Sequence, residues 1–367
     1  MKLEKNHTAR LAPAKINLSL SILGRLTSGY HLLSSLLCPL SLTDEVRVEL
    51  FEKKGRQESA VKVSFGAKLS EHVAFLKQND PDVSAILNGL QSKENIAYRA
   101  AELFFEKLGE RSDIANVGWN ITIEKNIPFA AGLGGGSSDA AATLLALNEL
   151  FSARFSQDEL LAMASRLGSD VPALVLEELS LMCGTGDFLI PVRGELGTFA
   201  KPTNLLLLKP PVSVSTAFAY EKLGFPKRIE PEKAKQHVWD SLKNDSRFKP
   251  LGLELSGTLE GDKWLTLLPQ EGIRLTLNRG LEEVICAHFV NDFQESVTGG
   301  FSQVAEAGSL LRESGAFHVL LCGSGSSFVG FFAEQDARDL ALSKLNQLTS
   351  SGWWCAAADL VPGKSLA

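Results

Sequence analysis

The chain has 367 residues, 44% of them hydrophobic and 22% charged, with 37 Lys and Arg against 43 Asp and Glu for a formal net charge of -6. That length suggests two domains with ample core. The balance of charge excludes a broad basic surface for nucleic acid, so an anionic ligand needs a local positive site rather than a global field.

Residues 9–50 read as strands: Ile16, Leu18, Leu20 and Ile22 alternate with polar residues, as do Val46, Val48 and Leu50. Residues 68–92 are polar and weakly patterned, an insertion or an irregular helix. A helix is expected from Asn95, with Ile96, Ala100, Leu103, Phe104 and Leu108 on one face and Gly109 as its stop. Val117, Trp119, Ile121 and Ile123 alternate as in a half-buried strand, and Ala140, Ala141, Leu144, Leu145, Leu147 and Leu150 return at helical spacing. Ser156-Gln-Asp-Glu159 is a capping box opening a helix that Gly168 closes. Asp170 is placed as the N-cap of the next, with Pro172 in its first turn. Leu205 to Leu208 is a short buried strand. Residues 225–290 are the least readable stretch. Val319 to Cys322 and Phe328 to Phe332 read as strands. A helix with Ala337, Leu340, Ala341 and Leu345 follows, then a last strand from Trp353 to Ala358. Strand runs mixed with helices imply an α+β fold rather than strict βαβ alternation.

Five scattered cysteines, Cys38, Cys183, Cys286, Cys322 and Cys355, form no C-x-x-C pair. They read as buried free thiols in a reducing compartment. The N-terminal residues lack a signal peptide's apolar core, and no run nears the roughly 18 apolar residues of a membrane span. The expected location is the cytoplasm.

Between the strand ending at Glu124 and the helix from Ala140 lies Pro128-Phe-Ala-Ala-Gly-Leu-Gly-Gly-Gly-Ser-Ser138. Gly132, Gly134, Gly135 and Gly136 leave the backbone uncovered, and amides at a helix N-terminus attract an anion. Ser137 and Ser138 add hydroxyls. The segment reads as a phosphate cradle, yet it is no P-loop, because Ser137 and Ser138 stand where Lys and Ser or Thr are needed, and Ser137 spoils G-x-G-x-x-G. Three further features join it. Lys15 is a point charge suited to a phosphate or alkoxide, or an exposed strand-end lysine. Asp170 is a general base, or only an N-cap. Gly323-Ser-Gly-Ser-Ser327 closes over a nucleotide, or is only a tight hairpin.

Pro13-Ala-Lys-Ile-Asn17, the glycine loop and Gly323 to Ser327 resemble, in this order, the three motifs of the GHMP kinase superfamily. Gly24-Arg25, Gly29-Tyr-His31, Leu167-Gly-Ser-Asp-Val-Pro172 and Asn291-Asp292 are similar to the branch whose acceptor alcohol carries cytidine diphosphate, in non-mevalonate isoprenoid precursor synthesis. The resemblance covers roughly 9–50, 93–220 and 290–332, and departs at Asp139, where Asn is common. It implies a two-domain GHMP kinase fold, residues 1–200 and 201–367, with the active site in the cleft between domains. It implies ATP as donor with Mg²⁺ bridging its oxygens and taking few protein ligands, Ser137 or Ser138 being the nearest candidate, with no metal-ligating residue assigned. ATP would be held by Pro128, Gly132, Leu133, Gly134, Gly135, Gly136, Ser137 and Ser138. Lys15 and Asp170 would be catalytic, and Asn17, Tyr30, His31 and Thr216 would bind the small-molecule substrate. A GHMP kinase for another alcohol, or a silent nucleotide-binding protein of the same fold, remains open on these residues.

Overall fold

The structure is a computed structural model that describes residues 6–361 and 363, apart from 55–57, 81–82, 111–113, 153, 187, 195–202, 225–227, 245–272, 276–284 and 287. The chain forms two compact units: one of residues 1–14, 42–129 and 134–176, the other of 15–41, 130–133 and 177–367. The expected boundary near residue 200 lies outside the described residues, as does much of 225–290. Two long strands, β1 (His7–Leu26) and β2 (His31–Glu52), contribute residues to both units.

In the first unit, the end of β2 runs antiparallel to β4 (Val117–Lys125), from Glu45 opposite Glu124 to Glu52 opposite Val117. β3 (Ala60–Phe65) lies parallel on the other edge of β4. The alternation expected for β4 is present: Trp119, Ile121 and Ile123 are buried, while Thr122 and Glu124 are exposed. Residues 68–92 form two regular helices, α1 (Ala67–Asn79) and α2 (Val83–Leu90). The inward set of α1, Leu69, Val73 and Leu76, keeps helical spacing but is sparse, which hid it among polar residues. α3 (Ile96–Gly109) starts where Asn95 accepts the Ala97 amide at 2.8 Å. α4 (Gly135–Leu150) is buried nearly all round, and its small Ala140, Ala141, Ala142 and Ala146 let α3 pack closely. α5 (Gln157–Ser165) has the complete Ser156–Glu159 capping box, and α6 (Val171–Leu176) begins just after Asp170.

In the second unit, Leu33 to Leu37 of β2 pair with β5 (Ser180–Gly184), which pairs with β6 (Phe188–Gly194). A separate antiparallel sheet contains β7 (Leu205–Lys209) at an inner position. After α7 (Thr216–Leu223), β8 (Arg228–Ile229), α8 (Pro231–Asn244), β9 (Ile273–Leu275), α9 (Phe293–Gly300) and α10 (Ser302–Glu313) come the hairpin β10 (His318–Leu321) and β11 (Phe328–Phe331), α11 (Gln335–Leu345) and β12 (Trp354–Ala358). The order in that sheet is β10-β11-β7-β12. Covered on both edges, β7 has four fully buried leucines and so reads as an unbroken apolar run. Two expectations are corrected. On α11, Ala341 and Leu345 are buried, but Leu340 is 58% exposed and Arg338 is turned inward instead. Cys286 is exposed, whereas Cys38, Cys183, Cys322 and Cys355 are buried free thiols.

Candidate active site

The glycine loop is divided between the units: Ala130–Leu133 belongs to the second and Gly134 onward to the first. Gly132 has φ +75°, and a β-carbon there would overlap the Cys322 carbonyl. Gly134 is the left-handed N-cap of α4 at φ 70°. Gly135 is packed: a β-carbon would lie 3.0 Å from Ile127 and 3.1 Å from Lys125 Nζ. Gly136 is exposed and a β-carbon would meet only Ile96, at 3.5 Å. Ser138 is buried, and its hydroxyl has no hydrogen-bond partner among the described residues. Pro128 and Leu133 are buried.

Lys15 is not an exposed strand-end residue: it is 4% exposed. Its amide donates to the Leu133 carbonyl at 2.9 Å, joining β1 to the glycine loop. Its ammonium donates to Asn17 Oδ1 at 2.8 Å, Asn17 Nδ2 donates to Ser35 Oγ at 2.7 Å, and Ser35 Oγ donates to the Ser19 carbonyl at 2.9 Å. Asn17 thus uses one acceptor and one donor position inside the protein and orients the Lys15 ammonium. The small-residue loop reaches the same cluster: a β-carbon on Gly323 would stand 3.3 Å from Lys15 Nζ and 3.0 Å from the Gly132 carbonyl. Burial pushes the Cys322 thiol up to about 12, although the Lys15 charge pulls the other way. Gly323–Ser327 is the connection of the β10–β11 hairpin. It is held by Asn291, whose amide donates to the carbonyls of Leu321 at 2.8 Å and Gly323 at 2.6 Å. Asp292 anchors the neighbouring strand by accepting the Ile22 amide at 2.7 Å. The Ser326 hydroxyl donates to the Val212 carbonyl at 2.6 Å, and Ser324 and Thr216 exchange a hydrogen bond at 3.1 Å.

Of the two aromatics expected to hold a base, Tyr30 is 70% exposed in the β1–β2 turn. His31 stacks instead on Tyr220, with ring centroids 4.3 Å apart and planes at 20°, and Tyr220 meets Phe293 edge-on at 4.8 Å. Burial, and then the Arg25 charge, lower the His31 pKa, which favours the neutral ring. Sequence reasoning missed Tyr220. Its signal was its scarcity, one of three tyrosines, one turn along from Thr216.

In the first unit, Asp170 precedes α6, and its carbonyl accepts the Leu174 amide at 3.3 Å. Sequence reasoning also missed a buried ionic cluster at the loop's flanks. Lys125 Nζ forms ion pairs with Asp44 Oδ2 and, at 2.6 Å, with Asp139 Oδ2. Asp44 Oδ1 accepts the amides of Asn126 at 2.5 Å and Ile127 at 2.8 Å. Burial alone would lower the pKa of Lys125, but Asp139 and Asp44 hold it above the ordinary lysine range. Burial pushes the Asp139 carboxyl up to about 8; Lys125 opposes the rise and Asp44 adds to it. Asp139 Oδ2 is therefore engaged by Lys125, while its buried Oδ1 has no hydrogen-bond partner among the described residues. The signal for Lys125 was its position, two residues past Ile123 on the buried face of β4, where a lysine needs a partner.

Residues 95–178 match the family model described as the GHMP kinases N-terminal domain. The 4-diphosphocytidyl-2-C-methyl-D-erythritol kinase of Geotalea daltonii is 31% identical over 94% of this chain and 96% of its own length. That of Syntrophotalea carbinolica is 31% identical over 96% and 98%. A crystal structure of 4-(cytidine 5'-diphospho)-2C-methyl-D-erythritol kinase is 28% identical with a TM-score of 0.61, over 96% of this chain and 99% of that one. A mevalonate kinase, 13% identical with a TM-score of 0.59, shares the fold over 96% of this chain and 99% of that one. With relatives of this identity along nearly its whole length, the chain belongs to the 4-diphosphocytidyl-2-C-methyl-D-erythritol kinase family of the GHMP kinases.

Proposed function

We propose that the chain transfers the γ-phosphoryl group of ATP to the 2-hydroxyl of 4-diphosphocytidyl-2-C-methyl-D-erythritol, with Mg²⁺, in the cytoplasm. The reading is carried by the near full-length match to kinases named for that alcohol. Two features of the chain suit an anionic nucleotide: the open backbone at Gly136 and the buried, unpartnered Ser138 hydroxyl. The first-turn amides of α4 lack intrahelical acceptors, so Gly134 to Ser138 would hold phosphate oxygens there, with Gly132 and Leu133 shaping the approach. When bound, ATP with Mg²⁺ supplies the transferable group and neutralises its charge. The metal takes few protein ligands and none is assigned.

Phosphoryl transfer asks chiefly for positioning and for charge neutralisation. Asp170 accepts or orients the proton of the acceptor hydroxyl. Lys15 stabilises the negative charge that develops there, its ammonium aimed by the Asn17–Ser35 chain. The cytosine docks at the His31–Tyr220 pair, where a ring face is available for stacking and an imidazole for the base edge. Tyr30 covers the base from the turn, and Thr216 contacts the substrate beside Ser324. At the level of family halves, residues 1–200 and 201–367 remain the proposed division. The test is an ADP-release assay on purified protein with ATP, Mg²⁺ and four alcohols: the cytidine diphosphate-linked methylerythritol, methylerythritol phosphate, homoserine and mevalonate. Turnover of the first alone is expected. Faster turnover of any other overturns the substrate assignment, and no turnover of any overturns the activity.

A further inference from the structure

The segments flanking the glycine loop are tied to each other by charge. On the entry side, Asp44 accepts the amides of Asn126 and Ile127, the last residues before Pro128, and pairs with Lys125. On the exit side, Lys125 pairs with Asp139 in the second turn of α4. The ammonium also lies against Gly135, where a β-carbon would stand 3.1 Å away. A single buried lysine therefore links the two flanks of the loop and packs against the first turn of α4, its charge balanced by the two carboxyl groups. Two carboxylates on one ammonium exceed what a neutral buried pair needs. Such a cluster is weak evidence of stabilisation by itself, because desolvation offsets the attraction.

We infer that Lys125, held by Asp44 and Asp139, is a positioning residue for ATP: it ties the segment before the glycine loop to α4 and so fixes the α4 end of that loop. The inference rests on the proposed use of that loop for nucleotide. Nothing in it concerns the acceptor alcohol, so it separates the two substrates. Lys125→Gln should weaken ADP binding at least about tenfold by displacing the α4 end of the loop, and raise KM for ATP to match. KM for the alcohol should stay within about twofold of wild type. Lys125→Arg, which keeps the charge, should recover part of the affinity.

The experiment is calorimetric ADP titration of the full chain, with steady-state KM for both substrates. Lys125→Gln leaves two carboxylates facing each other and can fail to fold. The double variant Lys125→Gln, Asp139→Asn avoids this, leaving Asp44 on its two amides, and is expected to show the same loss. A folded double variant with wild-type ADP affinity, or an equal rise of both KM values, overturns the inference. Absence of ADP binding by the wild type would instead overturn the nucleotide reading of the loop itself.

Discussion

Residues 132–138 and 323–327 are nearly alike in composition, Gly-Leu-Gly-Gly-Gly-Ser-Ser and Gly-Ser-Gly-Ser-Ser, yet they are secured in different ways. The first leads into α4, and its flanks are pinned by Lys125, Asp44 and Asp139, all buried and ionisable. The second closes a hairpin and is pinned by neutral groups: the Asn291 amide, the Ser326 hydroxyl, and Thr216 against Ser324. An ionisable brace responds to pH, whereas a neutral brace supplies geometry alone. The division suits their proposed tasks. One loop holds an anion, and the other carries backbone up to Lys15 without competing for its charge.

If both loops only hold and position, the chemistry depends on residues outside them. Asp170→Asn should lower kcat by about 10²–10⁴-fold, the usual contribution of general acid–base catalysis. ADP affinity by calorimetry should hardly change, because neither loop is touched. A variant with near-wild-type kcat would remove Asp170 from the mechanism and return more of the catalysis to the loops.

The braces themselves can be set against each other. Asn291→Ala leaves the carbonyls of Leu321 and Gly323 without their donor, a loss of roughly 1–3 kcal/mol for buried groups left unpaired. Denaturant unfolding should give the same loss at pH 5 and pH 8.5, since the groups lost do not titrate. The charged brace should behave otherwise. The Asp139 carboxyl is raised from 3.8 to about 8 in the folded chain, so its protonated form is the one the fold favours. That contribution is full below the ordinary aspartate pKa and is lost as pH rises through about 8. Asp139→Asn keeps an acceptor for Lys125 and removes the titration. Its unfolding midpoint should gain on wild type as pH rises from 4 to 8 and level off above that. A difference independent of pH would show that Asp139 does not titrate with folding.

How far these features could be read beforehand follows the range of the interactions involved. The Ser156–Glu159 box, Asn95, the alternation of β4 and the apolar run of β7 are local, and each stands where the sequence placed it. Lys15 was chosen by motif; its burial follows from Asn17, Ser35 and Leu133, the last of these more than a hundred residues away. The cluster of Asp44, Lys125 and Asp139 spans 81 and 14 positions, and no local pattern pairs those residues. The motif Gly29-Tyr-His31 points to Tyr30 because it adjoins His31 in sequence. Tyr30 lies in the exposed turn before β2, and the ring that reaches His31 comes from α7. Within 68–92, α1 was obscured by its polar outer face and α2 by its shortness, with only Val83 fully buried.

The finest comparison lies inside the first loop, between Gly132 and Gly136. Gly132 is required by the backbone, with φ +75° and the Cys322 carbonyl in the way of a side chain. Gly135 is no cleaner a probe, since a side chain there would press on Lys125 and Ile127 whether or not a nucleotide ever binds. Gly136 has neither constraint: it is exposed, and a β-carbon would make only an ordinary 3.5 Å contact with Ile96. For Gly136→Ala, helix propensity predicts a stability gain of a few tenths to about 1 kcal/mol. If phosphate oxygens approach the backbone there, the added methyl should weaken ADP binding even as the protein becomes harder to unfold. The opposite signs make the test sharp, because general damage to the fold would lower both. Calorimetry and urea unfolding on the same preparation measure the two quantities. A more stable variant with unchanged ADP affinity would mean that Gly136 serves the helix alone, and that the phosphates are held by the amides on either side of it.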